Sequence, residues 1–173
     1  MSLQGNGMVV TGGNSGIGEA IVRAAAAEGA SVVLDDVAHP EETDDLVAKV
    51  QAAGGQAVGV HADVSKPADL HAMLAQAVEA YGRLDVLINN AGVETRTSLL
   101  DTSQADFAKV VATNRNGPFF GTKLAAPQSP PTAGCCPLAP PPAALTAHAR
   151  APAPARPLRS EVNSTRRTRG RGG

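Results

Sequence analysis

Short apolar runs alternate with helical patterns through the first 123 residues of this 173-residue chain, and this alternation limits the possible folds. Four apolar segments are typical of buried strands: residues 7–12, 31–36, 56–63 and 84–92, the last including its following loop. Four helical patterns follow them in turn: residues 16–29, 41–53, 67–82 and a stretch that begins after Thr102 or Ser103. Strands that alternate with helices favour a parallel sheet with helical crossovers. The predicted fold class is therefore α/β, with a doubly wound parallel sheet.

Two details of these helices can be predicted from local signals. The first helix would place Ile17, Ile21, Ala24 and Ala25 on one buried stripe. The third would take Ser65 as its N-cap, with a proline in the first turn, where a missing N–H costs little.

A glycine-rich turn, TGGNSGIG at residues 11–18, lies between the first strand and the first helix. Glycine permits unusual backbone angles and lets N–H groups approach a pyrophosphate, and the helix N-terminus adds unpaired donors. The turn therefore predicts a phosphate cradle in a Rossmann-like sheet. Alone it is a weak signal, because a helix-opening glycine is often only a turn.

Polar residues at the ends of the later strands strengthen this prediction. Asp36 ends the second strand, where an acid can accept hydrogen bonds from an adenosine ribose and would repel a 2′-phosphate. Asp35 is an alternative for that role, and either acid could simply be a solvated charge. Asp63 with Val64, and the loop 89–92, follow the third and fourth strands. All these loops would lie at the carboxyl edge of the sheet and line one crevice.

Four segments in this order resemble the short-chain dehydrogenase/reductase family: TGGNSGIG (11–18), ADVS (62–65), NNAG (89–92) and TNRNGPFFGT (113–122). The glycines have the spacing G-x-x-x-G-x-G, and the sequence of these segments is similar to that of glucose 1-dehydrogenase-like members. The resemblance covers residues 7 to about 128. It implies an NAD(P)-dependent oxidoreductase that transfers hydride between a nicotinamide cofactor and an alcohol or carbonyl substrate, with a sugar such as glucose as one candidate.

The resemblance also implies roles for individual residues. NAD would be the cofactor, with NADP less favoured because of Asp36. Asn114 matches the family's asparagine, which holds a helix irregularity and a water of the proton relay. The residues that would bind the cofactor are Gly12, Asn14, Ser15, Gly16, Ile17, Gly18, Asp36, Asp63, Val64, Asn90, Ala91 and Gly92.

The rest of the family's catalytic set is missing from this sequence. Members use a Tyr hydroxyl as acid/base, a Lys four residues later that lowers the Tyr pKa, and a Ser that orients the substrate. The single tyrosine, Tyr81, is followed four residues later by Asp85, and Phe119-x-x-x-Lys123 has no hydroxyl. Loss of a positioned acid/base typically costs about 10²–10⁴-fold in rate. The family catalytic set is therefore reduced to Asn114, and the chain is expected to be catalytically incompetent alone.

The chain changes character after Lys123. Residues 1–123 carry 15 acids and 8 basic residues, whereas residues 124–173 carry one acid, seven Arg and ten of the 13 prolines. Such a composition cannot bury enough apolar surface to order itself. It predicts a Rossmann domain over residues 1–126, truncated after about four strands, and a disordered tail over 127–173. A shifted reading frame near residues 127–129 of a GC-rich gene would explain the bias; a genuine Pro/Arg-rich tail is the alternative.

Several other functions are disfavoured or kept as alternatives. Adjacent Cys135 and Cys136 match neither a disulfide framework nor a metal site, and no secretory or membrane-spanning pattern is present, which predicts a cytoplasmic protein. One alternative is a dinucleotide-binding fragment without turnover. A weaker one is nucleic-acid binding by the Arg-rich segment 159–173, which lacks aromatic residues for base stacking. Without a fifth strand, the strand at 84–92 would be an apolar edge that invites aggregation, and the family's oligomer contacts would be incomplete.

Overall fold

The computed structural model describes residues 3–128 and 134–137, which form a parallel sheet covered by helices. The predicted α/β class is confirmed. In chain order the elements are β1 (Gly7–Val10), α1 (Gly16–Ala27), β2 (Ser31–Asp36), α2 (Pro40–Ala52), β3 (Gln56–His61), α3 (Pro67–Tyr81), β4 (Val86–Asn89), α4 (Gln104–Val111), a π-helical turn (Ala112–Asn116), α5 (Gly117–Ala125), a 3₁₀ turn (Ala126–Gln128) and β5 (Gly134–Pro137).

The strands lie in the order β3-β2-β1-β4-β5, and every pair is parallel. The chain therefore winds outward from β1 in one direction to β3, then returns to the centre and continues through β4 in the other direction. The order reverses between β1 and β4. In open α/β sheets a crevice forms at such a point, beyond the carboxyl ends of the strands.

The expectation that β4 is an unpaired edge is wrong for the described residues. β5 pairs with β4 in parallel register, from Val86 opposite Gly134 to Asn89 opposite Pro137. Backbone groups alone form such a ladder, so a segment without a hydrophobic pattern can join an open edge when a helical crossover returns it there. Pro137 has no N–H to donate, which suits the end of an edge strand. Most of the predicted tail, including the Arg-rich segment 159–173, lies outside the described residues.

Two hydrophobic clusters lie on opposite faces of the sheet, because successive strand residues point to opposite sides. Met8 and Val10 belong to the cluster under α1 and α2, whereas Val9 belongs to the cluster under α3 and α5. The fully buried Leu70, Met73 and Leu74 of α3 belong to the second cluster. The sheet is thus a buried central layer, as parallel sheets almost always are.

The buried stripe of α1 differs from the predicted one by a single position. Gly18, Val22, Ala25 and Ala26 face the sheet, whereas Ile17 is 66 % exposed. The cause is the turn that precedes the helix: it brings Gly18 against the carbonyl of Gly12, so the face that begins at residue 18 is the one turned inward.

Ser65 does not cap α3, contrary to expectation. The N-cap is Lys66, and no side chain bonds to the first turn from that position. Ser65 instead donates from its backbone N and its Oγ to Oδ1 of Asp63, at 2.9 and 2.7 Å. A serine two residues after an aspartate closes this local turn as readily as it caps a helix, and here the turn prevails.

Candidate functional site

The turn between β1 and α1 lies at the point where the strand order reverses. Gly12 and Gly16 have positive φ angles of 61° and 54°, which side-chain-bearing residues rarely adopt. A Cβ at Gly16 would meet nothing within 4 Å, so the backbone at this position faces open space. A ligand can therefore approach the main chain here without displacing protein atoms.

The other glycines of the turn are needed because neighbouring atoms are too close. A Cβ at Gly13 would lie 2.6 Å from Cβ of Leu34 on β2. A Cβ at Gly18 would overlap the carbonyl of Gly12 and lie 2.6 Å from Nδ2 of Asn90. The turn and the first residues of α1 are thus pressed against β2 and the loop after β4, which fixes the shape of the cradle.

Thr11 and Asn90 join the turn to the loop after β4. Thr11 Oγ1 accepts hydrogen bonds from the backbone N of Asn90 and of Ala91, both at 3.0 Å. Asn90 Nδ2 donates to the carbonyls of Thr11 and Gly12, both at 2.9 Å. Thr11 is a positioning residue that sequence analysis missed, since its partners are 79 and 80 positions away. Asn90 therefore fixes the backbone of the cradle through these two bonds. Gly92, two residues later, is exposed.

The start of α1 presents its backbone donors beside this turn. The first N–H groups of an α-helix have no partner within the helix, and they carry the positive end of its dipole. Ser15 precedes the helix in an extended conformation and its side chain makes no capping bond. Ser15, Gly16 and Ile17 are all exposed, while Asn14 Nδ2 donates to the carbonyl of His39 at 3.4 Å. This surface can bind an anion such as a pyrophosphate.

Asp36 ends β2 near the same edge, but its carboxylate is already engaged. Oδ1 accepts from the backbone N of His39 at 3.0 Å, and Oδ2 accepts from Thr43 Oγ1 at 2.9 Å. His61 Nδ1 lies 3.7 Å from Oδ1, and only 3 % of the Asp36 side chain is exposed. A carboxylate has about four lone-pair positions, so further acceptor positions exist beyond these two bonds.

Asp35 points to the opposite side of β2 from Asp36. Its Oδ1 accepts from the backbone N of Gly12 at 2.5 Å, and its backbone carbonyl accepts from Gly13 N at 3.1 Å. The residue is only 2 % exposed. Burial is the main cause that raises the pKa of this carboxyl to about 7. Asp35 therefore lies beneath the turn, with its carboxyl bonded to Gly12.

Asp63 and Val64 lie in the loop after β3, as expected from their position. The two hydrogen bonds from Ser65 hold the pKa of the Asp63 carboxyl below its usual value, and Lys66 Nζ lies 3.5 Å from Oδ2. The backbone N of Asp63 donates to Asp69 Oδ2 at 3.1 Å. Val64 is buried against Gly117 of α5. This loop is rigidly held and supplies an ionised carboxylate beside the crevice.

Asn114 lies in the π-helical turn and fixes the segment that follows the loop after β4. Its Oδ1 accepts from Val93 N and its Nδ2 donates to the Val93 carbonyl, both at 2.8 Å. A proline follows this turn, and Pro118 has no N–H to donate to the carbonyl of Asn114, four residues earlier, which favours an irregular helix here. The backbone N of Gly117 donates to the carbonyl of Ala112, five residues earlier, which is the π-helical hydrogen bond. The side chain of Asn114 thus forms a two-bond bridge to the segment that follows the cradle.

Tyr81 lies at the other edge of the sheet. It ends α3, close to Asp85, which accepts a hydrogen bond from the backbone N of Gly7 at 2.8 Å. Gly7 is the first residue of β1, whereas the cradle follows the last residue of that strand. Tyr81 packs against the second core cluster, and burial raises the pKa of its hydroxyl. Arg83 binds Asp85 with two nitrogen atoms at 2.6 and 2.7 Å, which completes an anchor between β1 and β4.

Among the described residues, no group of three or more His, Cys, Asp or Glu side chains could hold a metal ion. Residues 3–128 and 134–137 also contain no helix long and apolar enough to cross a membrane.

The fold and the site together define a Rossmann-like α/β protein with a glycine-rich cradle at its switch point. A sequence model of the family described as short chain dehydrogenase matches residues 6–134. The chain therefore belongs to the short-chain dehydrogenase family.

Individual relatives agree with this assignment. The chain is 41% identical over 128 residues to meso-2,3-butanediol dehydrogenase of Serratia marcescens, which covers 74% of this chain and 50% of that protein. It is 37% identical over 128 residues, with the same coverage, to an uncharacterized oxidoreductase of Thermotoga maritima. The chain thus spans about half the length of the curated relatives it matches.

Solved structures show the same architecture. A short-chain dehydrogenase from Burkholderia cenocepacia in complex with NADP matches with a TM-score of 0.77 at 31% identity, over 79% of this chain and 56% of that one. A short-chain dehydrogenase/reductase from Burkholderia phymatum in complex with NAD matches with a TM-score of 0.71 at 35% identity, over 75% and 46%.

Proposed function

We propose that this chain is the nicotinamide-dinucleotide-binding part of a short-chain oxidoreductase. The observation that carries the proposal is the cradle itself: two glycines with positive φ, an open approach at Gly16, and the donor-rich start of α1 at one switch point. The NADP and NAD complexes of the two Burkholderia proteins support this assignment, because those proteins share the fold.

The chain's own residues would divide the binding between them. The turn 12–18 would take the pyrophosphate on backbone N–H groups, with Asn14 and Ser15 at its exposed rim. Asp63 and Val64 would border the adenine, and residues 90–92 would line the inner part of the crevice. Gly12, Gly18 and Asn90 would act by holding the cradle in shape, through the contacts described above.

We infer a preference for NAD over NADP from Asp36. Replacing Asp36 with Ala should shift the ratio of the NADPH and NADH dissociation constants about tenfold toward NADPH, since a carboxylate at the ribose repels a 2′-phosphate. Fluorescence titration of both reduced cofactors measures the ratio. Asp45→Ala removes the same charge from the exposed face of α2 and should leave the ratio unchanged. An unchanged ratio in Asp36→Ala would remove Asp36 from the specificity site.

The reaction class would be hydride transfer between the nicotinamide and an alcohol or carbonyl group, chemistry that the cofactor supplies when it is bound. A sugar such as glucose, or a small diol like that of the Serratia relative, fits this class. Of the family's catalytic set the sequence retains Asn114, and it contains no Tyr-x-x-x-Lys. We therefore propose that these 173 residues bind the cofactor without turning it over.

Titration of the purified full chain with NADH, followed by fluorescence or calorimetry, tests the proposal. Saturable binding is expected in the wild type, and Gly16→Asp should weaken it at least 100-fold. The new carboxylate would stand where the pyrophosphate binds, on a backbone that favours glycine.

A matched control separates this effect from unfolding. Gly54 also has a positive φ, 84°, and also has open space around a Cβ, but it follows α2 far from the turn. Gly54→Asp should suffer the same backbone strain and bind NADH like the wild type. Absence of binding by a folded wild type, or equal losses in both variants, would contradict the proposal.

A further inference from the structure

Among the described residues, Asp35 is the acid whose carboxyl group hydrogen-bonds to the backbone of the glycine-rich turn. It holds two successive backbone N–H groups of the turn: Gly12 N through its carboxyl oxygen and Gly13 N through its carbonyl. The carboxyl is buried beneath the turn, while the outer side of the same turn faces the crevice. Asp35 therefore lies directly behind the backbone to which the proposed pyrophosphate would bind.

The ionisable groups around Asp35 favour its neutral form. β1, β4 and the turn 11–15 contain no ionisable side chain. Asp36 follows on β2 and Asp63 lies in the loop after β3, and both raise the pKa of Asp35 by like-charge repulsion. His61, at the end of β3, faces Asp36, and His39 donates its backbone N to that same residue.

We propose that Asp35 is a positioning residue of the cradle whose protonation state makes dinucleotide affinity depend on pH. This inference rests on the proposed function, since it concerns how the same turn binds its ligand. A neutral carboxylic acid still accepts the Gly12 hydrogen bond through its C=O oxygen, so the turn keeps its shape. An ionised carboxylate makes the same bond but adds a negative charge behind a site for two phosphates.

Proton linkage then fixes the direction of the effect. Binding of an anionic dinucleotide raises the pKa of Asp35 further, so the complex holds the proton more tightly than the free protein does. The affinity for the dinucleotide must therefore fall as the pH rises through the pKa of the Asp35 carboxyl in the free protein, about 7. A cofactor-induced rise of about one pH unit corresponds to a roughly fivefold weaker affinity at pH 8 than at pH 6.

The test is NADH titration of the full chain at pH 6, 7 and 8 in the wild type, Asp35→Asn and Asp45→Asn. Asparagine keeps the acceptor for Gly12 and stays neutral, so Asp35→Asn should bind about equally at all three pH values. Asp45→Asn removes an exposed carboxylate from α2 and should retain the wild-type pH dependence. Pre-organisation of the turn alone would not produce this difference in pH profile.

A second readout does not need the cofactor. The amide proton shift of Gly12 should titrate with a midpoint near pH 7 in the wild type, because its acceptor is the Asp35 carboxyl, and should not do so in Asp35→Asn. If Asp35→Asn does not fold, the wild-type amide titration and the pH dependence of wild-type binding remain measurable.

The outcomes distinguish the two proposals. Identical pH profiles in wild type and Asp35→Asn, or a wild-type affinity that is flat between pH 6 and 8, overturn the inference while dinucleotide binding stands. A folded chain that binds no NADH at any pH overturns the proposed function and, with it, the role of Asp35 in affinity. A Gly12 amide that does not titrate overturns the inference in every case.

Discussion

Replacing Gly18 with alanine should lower the free energy of unfolding by about 3 kcal/mol or more. The new methyl group would overlap the Gly12 carbonyl, a backbone atom that cannot rotate away, and would press on Nδ2 of Asn90. Overpacking of this kind typically costs about 1–3 kcal/mol. Displacement of the Asn90 amide adds the loss of its bonds to Thr11 and Gly12, each worth about 0.5–1.5 kcal/mol. Urea unfolding followed by circular dichroism measures the change.

Gly16→Ala is the matched comparison, since it adds the same methyl group two residues earlier. Space around that Cβ is open, so only the positive φ opposes the substitution, at a cost of about 1–2 kcal/mol. Gly18→Ala should therefore be clearly the more destabilising of the two. If Gly18→Ala were the less destabilising substitution, that result would contradict the close contact between Gly18 and the Gly12 carbonyl.

The stability of the wild-type chain should decrease as the pH rises from 5 to 8, because of Asp35. Its carboxyl has a pKa of 3.8 when unfolded and about 7 when folded, so the native state holds the proton more tightly. Stability from this group is fully present below the unfolded pKa and is lost as the pH rises through the folded one. The total loss is about 4 kcal/mol, of which about 3 kcal/mol falls between pH 5 and pH 8.

Comparison with Asp35→Asn isolates this effect from all other titrations. The difference in free energy of unfolding between variant and wild type, from urea midpoints at each pH, should move in favour of the variant as the pH rises. Asp45→Asn, at an exposed position, should run parallel to the wild type. If the free energy of unfolding of Asp35→Asn also changed with pH in parallel with the wild type, the Asp35 carboxyl would have the same pKa in the folded and unfolded chains.

The order of elements could be predicted from the sequence because each depends on local signals. Val9, Val33 and Leu87 lie in apolar runs and become fully or almost fully buried strand residues. Gly82 ends α3 in the left-handed conformation, as a glycine stop signal predicts. The glycine-rich turn could likewise be placed between a strand and a helix, because the apolar run before it and the helical pattern after it are both local signals.

Other features could not be predicted, because they depend on contacts between residues that are far apart in the sequence. Some depend on which of two neighbouring residues faces the interior. Asp35 and Asp36 are adjacent and chemically alike, and only the side of β2 to which each points decides that one contacts Gly12 and the other Thr43. The buried face of α1 required knowledge of how closely residue 18 approaches the turn. Thr11 looked like the end of an apolar run, and nothing local indicates that it binds the loop after β4.

The β5 pairing was unpredictable for a different reason. A hydrophobic pattern reports which side chains are buried, whereas strand pairing requires only backbone N–H and C=O groups in the right place. The residues of β5 have no helical or alternating pattern, and they follow α4 and α5 along the chain.

The π-helical turn has a geometric consequence for α5. An α-helix advances by about 100° per residue, so one residue accommodated in a wider turn rotates everything that follows by about that angle relative to α4. With this rotation Gly117 meets Val64, Gly121 meets Asn89, and Phe119 remains exposed. In a regular helix of the same sequence these faces would be turned away from the sheet. The π-helical turn thus decides which side chains of α5 face the strands beneath it.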